Sequence, residues 1–87
     1  MVPVGEYEGY VDDLGDRRAR VRVLEVCRRP GVSNLYAFFV RFEEIWNGFA
    51  VEEPREIDMI DFLRPVNRPD AGRNMIAERF RLLREID

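Results

Sequence analysis

The stretch RRARVRVLEVC, Arg17 to Cys27, decides how this 87-residue chain is read. Ala19, Val21 and Val23 alternate with Arg18, Arg20 and Arg22, the period-two pattern of a strand with one face in a core and the other in water. After Val23 the apolar phase moves to Leu24 and Val26. A slip of one residue turns every following side chain to the opposite face. A β-bulge or sharp bend near Val23-Leu24 is therefore the economical reading, and a strand bent in this way can close a small barrel.

Upstream, Gly5 to Val11 reads as a short strand, and Asp12-Asp13-Leu14-Gly15-Asp16 as a turn with Gly15 supplying a positive φ. Downstream, Arg28 to Asn34 is a loop marked by Pro30-Gly31. A third strand is expected over Leu35 to Glu43, with Tyr36, Phe38, Val40 and Phe42 on one face. Asn47-Gly48 is a strong two-residue hairpin signal, and Phe49-Ala50-Val51 begins a fourth strand. Pro54 must end that strand or lie at an edge. Ile57, Ile60 and Leu63, spaced by three, predict one tight 3₁₀-like turn, and Leu63 to Val66 a short closing strand.

The tail has a different period. Asp70 or Asn74 is placed to cap a helix. From Met75 to Ile86 the residues Met75, Ile76, Phe80, Leu82, Leu83 and Ile86 fall on one broad face at helical spacing. Arg79 sits inside that apolar arc, so it is expected to snorkel or to pair with an acid. The fold expected is mainly β: a five-stranded SH3-like barrel over residues 1–67, followed by a C-terminal α-helix over 70–87 packed on the barrel or on a partner. Ile76, Phe80 and Leu83 are the candidate contact residues of that helix, and a homodimer formed through it is one way to cover its wide apolar face.

Composition narrows the chemistry. Eighty-seven residues make one domain, which buries only ~60% of its unfolded surface. No apolar run approaches a membrane span and no secretory segment follows Met1, so a chain inside the cell, cytoplasmic or nuclear, is expected. The single Cys27 offers neither an internal disulfide nor a metal cluster. All fourteen cations are Arg, with no Lys and no His. That removes an imidazole base, a Schiff-base lysine and a Walker-type phosphate lysine. Ser33, the only serine, has no base to activate it. The expectation is a non-enzymatic protein without metal or cofactor.

Net charge is −3, unevenly spread. Residues 1–16 hold Glu6, Glu8, Asp12, Asp13 and Asp16 and no base. Residues 17–29 hold Arg17, Arg18, Arg20, Arg22, Arg28 and Arg29 against Glu25. Residues 43–61 hold seven acids against Arg55. Two readings stand open. Neighbouring strands pair these charges across a sheet, or the arginines form a basic groove for nucleic acid, as small barrels often do.

Phe39 to Glu44, then Val51-Glu52-Glu53, then Ile60-Asp61-Phe62-Leu63-Arg64-Pro65 running on to Pro69, resemble the ending of Tudor and Agenet domains, with a "V-x-[FY]" third strand, an acidic stretch and a closing "(I/L)-R-P". The resemblance covers about residues 5 to 69. It implies an aromatic cage for methylated Lys or Arg, held by cation–π attraction. Tyr10 matches the cage position at the end of strand one. Phe42 and Trp46 match the tip of strand three, with Glu43 or Glu44 as the anion. The start of strand two departs from the pattern, carrying Arg17 or Arg18 in place of an aromatic. Trp46 is thus a cage wall, or else a cover over the barrel end or a surface for the tail helix. The functional expectation is a protein- or peptide-binding module. The alternatives are a nucleic-acid-binding barrel and a small regulatory subunit docking by its C-terminal helix. No membrane partner is expected.

Overall fold

Arg18–Arg28 runs as an eleven-residue strand, β2, between β1 (Gly5–Tyr10) and β3 (Phe38–Trp46), antiparallel to both. The computed structural model describes residues 2–12, 17–67 and 76–86. Val21 and Val23 are fully buried while Arg18 and Arg20 face water, as the alternation requires. The pairing of β2 with β3 slips between Val23 and Glu25. Leu24 is the extra residue, and the bulge lies where the apolar phase changes.

β3 begins later than its sequence suggests. Leu35–Ala37 forms a 3₁₀ turn whose start is capped by Asn34, its side chain accepting from the Tyr36 N–H at 2.9 Å. Val40 and Phe42 point into the core, but Tyr36 is half-exposed and Phe38 lies at the margin. At the far end of β3, Asn47 (φ 53°) and Gly48 (φ 85°) both take positive φ. Two consecutive positive φ values make a type I′ turn, whose twist matches that of the flanking strands and which Asn-Gly tolerates best. The returning chain pairs with β3 twice, first as β4 (Phe49–Ala50) and then, beyond Pro54, in a shifted register as β5 (Arg55–Asp58).

The expected tight turn is a five-residue helix, α1 (Met59–Leu63), with Phe62 buried. The expected closing strand is reduced to β6 (Val66–Asn67). It pairs not with the main sheet but with β7 (Ile76–Ala77).

The C-terminal helix expected over 70–87 is overturned. Residues after Glu78 form β8 (Phe80–Glu85), antiparallel to β1, so the tail belongs to the main sheet and is no separate unit. Asp70, Asn74 and Met75 lie outside the described residues. The physical reason is the competition for β1. As a strand the tail sets Arg84 on Glu6 and Arg81 on Glu8, and it drives Phe80 into the core. An isolated helix of about twelve residues is marginal on its own. Of the three residues assigned to a partner-facing helix, Phe80 is interior, Leu83 is half-buried at a register shift and Ile76 is exposed on β7. A homodimer through that helix therefore has no structural basis. Gly9 makes the approach possible: a Cβ there would collide with the Arg79 carbonyl and the Phe80 ring.

Sheet order is β4-β3-β2-β1-β8, with β5 also on β3. β3 and β8 are three strands apart, about 14 Å in a flat sheet. Yet Phe42 and Phe80 have ring centroids 6.2 Å apart, so the sheet curls over on itself. Phe80 also stacks on Phe62 at 4.4 Å, and Tyr7 meets Phe62 edge-on at 5.5 Å. Among the described residues the main sheet stays open with six strands, and β6 and β7 form a separate pair, so there is no closed cylinder of five. The chain is a small, mainly β, antiparallel structure. Among the described residues no helix is long and apolar enough to cross a membrane.

Arg79 is buried but does not snorkel. Its guanidinium donates to the carbonyls of Tyr10 (2.9 Å), Asp61 (3.3 Å) and Asp12 (3.4 Å), tying the tail to the end of β1 and to α1.

Two expectations follow. Phe80→Ala should cost about 3–5 kcal/mol in urea unfolding, the range for truncating a buried aromatic. A residue on a solvent-facing or partner-facing tail helix would show almost no loss. Burial, reinforced by the nearby charge of Glu85, pushes the Tyr7 hydroxyl up to about 12, and that hydroxyl donates to the Pro3 carbonyl at 2.6 Å. The unfolded phenol titrates near 10. The fold thus favours the neutral form: this contribution is complete below about pH 10 and is lost as pH rises towards about 12. The urea midpoint of the wild type should fall across that window more than that of Tyr7→Phe.

Candidate functional site

The arginine comb of β2 lies between two acidic combs. On the outer face, β1 supplies Glu6 and Glu8, β3 supplies Glu43, and beyond β1 the next strand supplies Arg81 and Arg84. The columns alternate in sign, so arginines and acids stand opposite one another across the strands. Arg18 and Arg81 both reach Glu8, and Arg84 reaches Glu6. Arg22 meets Glu43 at 3.0 Å. The Arg81 hydrogen bond, with Arg18 adding to it, holds Glu8 below the usual carboxylate range.

The six arginines assigned to a nucleic-acid groove are therefore not a free basic strip. Arg17 is clamped on Glu44 through both of its terminal nitrogens, at 3.0 and 2.9 Å. That bond drives Glu44 down and Arg17 up, with burial working against both. Arg29 pairs with Asp58 at 2.8 Å. Arg28 bonds the Val32 carbonyl and lies over the Phe38 ring. Among the described residues Arg20 makes no direct ion pair, but it stands opposite Glu8.

The residues of the implied cage do not converge. Phe42 is 3% exposed, its ring against Phe80 inside and Arg55 at one margin, so it offers no surface to a ligand. Tyr10 lies at the end of β1 with the Arg18 guanidinium 5.6 Å from its ring centre. Glu43 and Glu44 already hold Arg22 and Arg17. Trp46 alone is open, at 72% exposure. It neither covers the barrel end nor packs on the tail.

Trp46 does have a companion that the cage layout did not include. The type I′ turn sets Trp46 directly opposite Phe49, and Val51 donates its N–H to the Glu44 carbonyl two residues further down the same face. Phe49 is 77% exposed and Val51 53%. Three large apolar side chains thus stand on one face of a hairpin that projects past the sheet. The signal for Phe49 was present in the sequence: a two-residue Asn-Gly turn always makes cross-strand partners of its neighbours. Between this hairpin and the start of β2 runs a groove lined by Arg17, Arg18, Ala19, Glu44, Trp46 and Val51. The tip is also braced, because Arg22 bonds the Gly48 carbonyl at 2.9 Å while it holds Glu43.

Burial and the neighbouring Glu25 push the Cys27 thiol up, which disfavours a thiolate nucleophile. Among the described residues no group of three or more acidic or cysteine side chains is placed to hold a metal ion. Comparisons with protein-family models, with curated proteins and with solved structures return no match for this chain.

The single tryptophan makes the tip directly measurable. Trp46 emission should be red-shifted and quenched by acrylamide almost as freely as a short peptide's. Trp46→Ala should shift unfolding stability by no more than about 0.5 kcal/mol, as at an exposed site. A blue-shifted, protected tryptophan would mean that the ring is covered.

Proposed function

We propose that this chain is a non-enzymatic protein-interaction module of the SH3-like small-barrel type, docking a partner through the hairpin face of Trp46, Phe49 and Val51. The barrel reading is supported by the bulged β2 shared between two halves of a curled meander, by the helical turn before the last strands, and by the return of the final strand to the first. The Tudor-like resemblance points the same way. One observation carries the functional reading: a cross-strand aromatic pair, 72% and 77% exposed, on a turn that fixes its geometry.

An exposed Trp-Phe pair forgoes the free energy that removing its apolar surface from water would release. Covering each such side chain is worth ~1.5–3 kcal/mol. Association costs about 4–15 kcal/mol in lost freedom. Three side chains therefore sustain weak binding alone, and useful affinity needs further contacts or repeated ones. Apolar docking is favoured over caging a methylated cation, because the second and third walls are interior or arginine-bound. It is also favoured over nucleic-acid binding, because four of the six candidate arginines, Arg17, Arg18, Arg22 and Arg29, are held by carboxylates.

Titration of an array of short peptides, followed by Trp46 fluorescence, tests this. Binders should be apolar, largely indifferent to salt, and equally tight with lysine or trimethyl-lysine. Trp46→Ala with Phe49→Ala should weaken them at least tenfold. Binding that survives the double substitution, or DNA binding that falls steeply with salt, would overturn the reading.

A further inference from the structure

The main sheet ends on β8. This strand pairs with β1 along one side, and among the described residues no strand pairs with its other side. The Arg79 carbonyl accepts from the Tyr10 N–H at 2.9 Å, and the Ile86 N–H donates to the Val4 carbonyl at 3.0 Å, so both groups point at β1. Backbone groups alternate in direction along a strand. Followed inward from those two bonds, the N–H and C=O of Leu82 and of Glu85 point away from β1, with the register shift at Leu83 between them. They form an open edge.

The two faces of that edge differ. Arg81 and Arg84 stand opposite Glu8 and Glu6 on the outer face, each with more than half of its side chain in water. Arg81 shares the Glu8 carboxylate with Arg18, so neither arginine has it alone. From Glu43 on β3 to β8 the columns run acid, base, acid, base, and they stop on a base. On the inner face Leu82 stands opposite the buried Tyr7, yet it is 40% exposed. The core is therefore left part-covered where the sheet does not close. Glu85, the one acid of β8, stands opposite Gly5 on the other face from Arg84, and Glu78 precedes the strand.

Charges on an edge strand also decide what it refuses. When two β8 strands pair antiparallel over their full length, Arg81 of one copy meets Arg84 of the other. Like charges directly opposite destabilise such a pair. The edge thus disfavours a second copy and favours a strand of opposite sign.

We propose that β8 takes a further strand from a partner protein: an extended segment alternating acidic and apolar residues, its acids on Arg81 and Arg84 and its apolar side chains over Leu82. Main-chain hydrogen bonds to Leu82 and Glu85 hold the segment, and the alternation selects it. This does not depend on the hairpin, which lies at the other end of the strand order.

Residue-resolved amide exchange of the full chain, titrated with a short acetylated peptide alternating Glu and Val, tests this. The Leu82 and Glu85 amides should gain protection, and the Phe49 amide should not. Affinity should be at least tenfold above that of an alternating Lys-Val peptide, or of one with the same Glu and Val in two blocks, and should fall as salt is added. N-methylation of alternate residues removes the donors along one edge of the peptide. In one phase it should abolish binding, and in the other it should leave binding intact. Arg81→Gln, which leaves Arg18 on Glu8, should weaken binding about threefold, as for an exposed ion pair. Trp46→Ala with Phe49→Ala should leave it unchanged. The proposal is overturned by a peptide that does not bind at millimolar concentration, by a Lys-Val peptide that binds as well, by protection that misses Leu82 and Glu85, or by equal tolerance of both N-methylated phases. The hairpin reading is judged by its own titration.

Discussion

The stack of Phe80 on Phe62, 4.4 Å between ring centroids, turns a meander into a body with an inside. Phe80 stands on the last strand and Phe62 on the short helix before it, and both meet Tyr7 or Phe42 from the central strands. Without that cluster, the curl of β2 would wrap around nothing. A chain of 87 residues has little core to spare, and here four aromatic rings from four elements meet within it. The rest of the fold serves to bring them together. The bulge at Leu24 bends β2, Gly9 lets the last strand approach β1, and Arg79 ties the approach by bonding three carbonyls.

Much of the central sheet was legible because its signals are local. Alternation in Arg17 to Val23, the phase change at Leu24, the Asn47-Gly48 turn and the break at Pro54 each depend on a few neighbouring residues, and each appears where the sequence puts it. The tail was misread because its period is ambiguous. Ile76, Phe80, Leu83 and Ile86 fit a helical face, yet Phe80 with Leu82 fits a strand face as well, and the choice is made by β1, more than seventy residues away. Arg79 was the visible anomaly. A cation in the middle of an apolar helical arc is awkward, and as the residue entering a strand it has three carbonyls to bond. Gly5 and Gly9, four apart on a strand with no side chains there to pack, were a second sign that another backbone passes close.

The site was half legible for a related reason. Trp46 drew attention by its place beside a turn, but its expected companions were chosen from the layout of a resembling family. Phe42 shares the phase of Val40, which the sequence already marked as core, and the structure keeps it there. Phe49 is fixed opposite Trp46 by turn geometry alone. The local rule points to this neighbour, which was not drawn from the sequence, where the analogy named a buried one.

The absence of lysine acquires a physical sense in the finished structure. Arg22 holds Glu43 with one terminal nitrogen and the Gly48 carbonyl with the other. Arg29 divides itself in the same way between Asp58 and the Tyr36 carbonyl. A planar fork with fixed donors can serve a carboxylate and a carbonyl at once and hold both in one geometry, whereas an ammonium on a flexible stem fixes neither. Both arginines stand where the chain turns at an end of β3, and both turns leave apolar side chains exposed. The cations of β2 and its flanks thus do two things together. They hold the carboxylates of the strands beside them, and they stiffen the two ends of the sheet. What those two ends present is apolar, rigid and placed at the extremes of one strand.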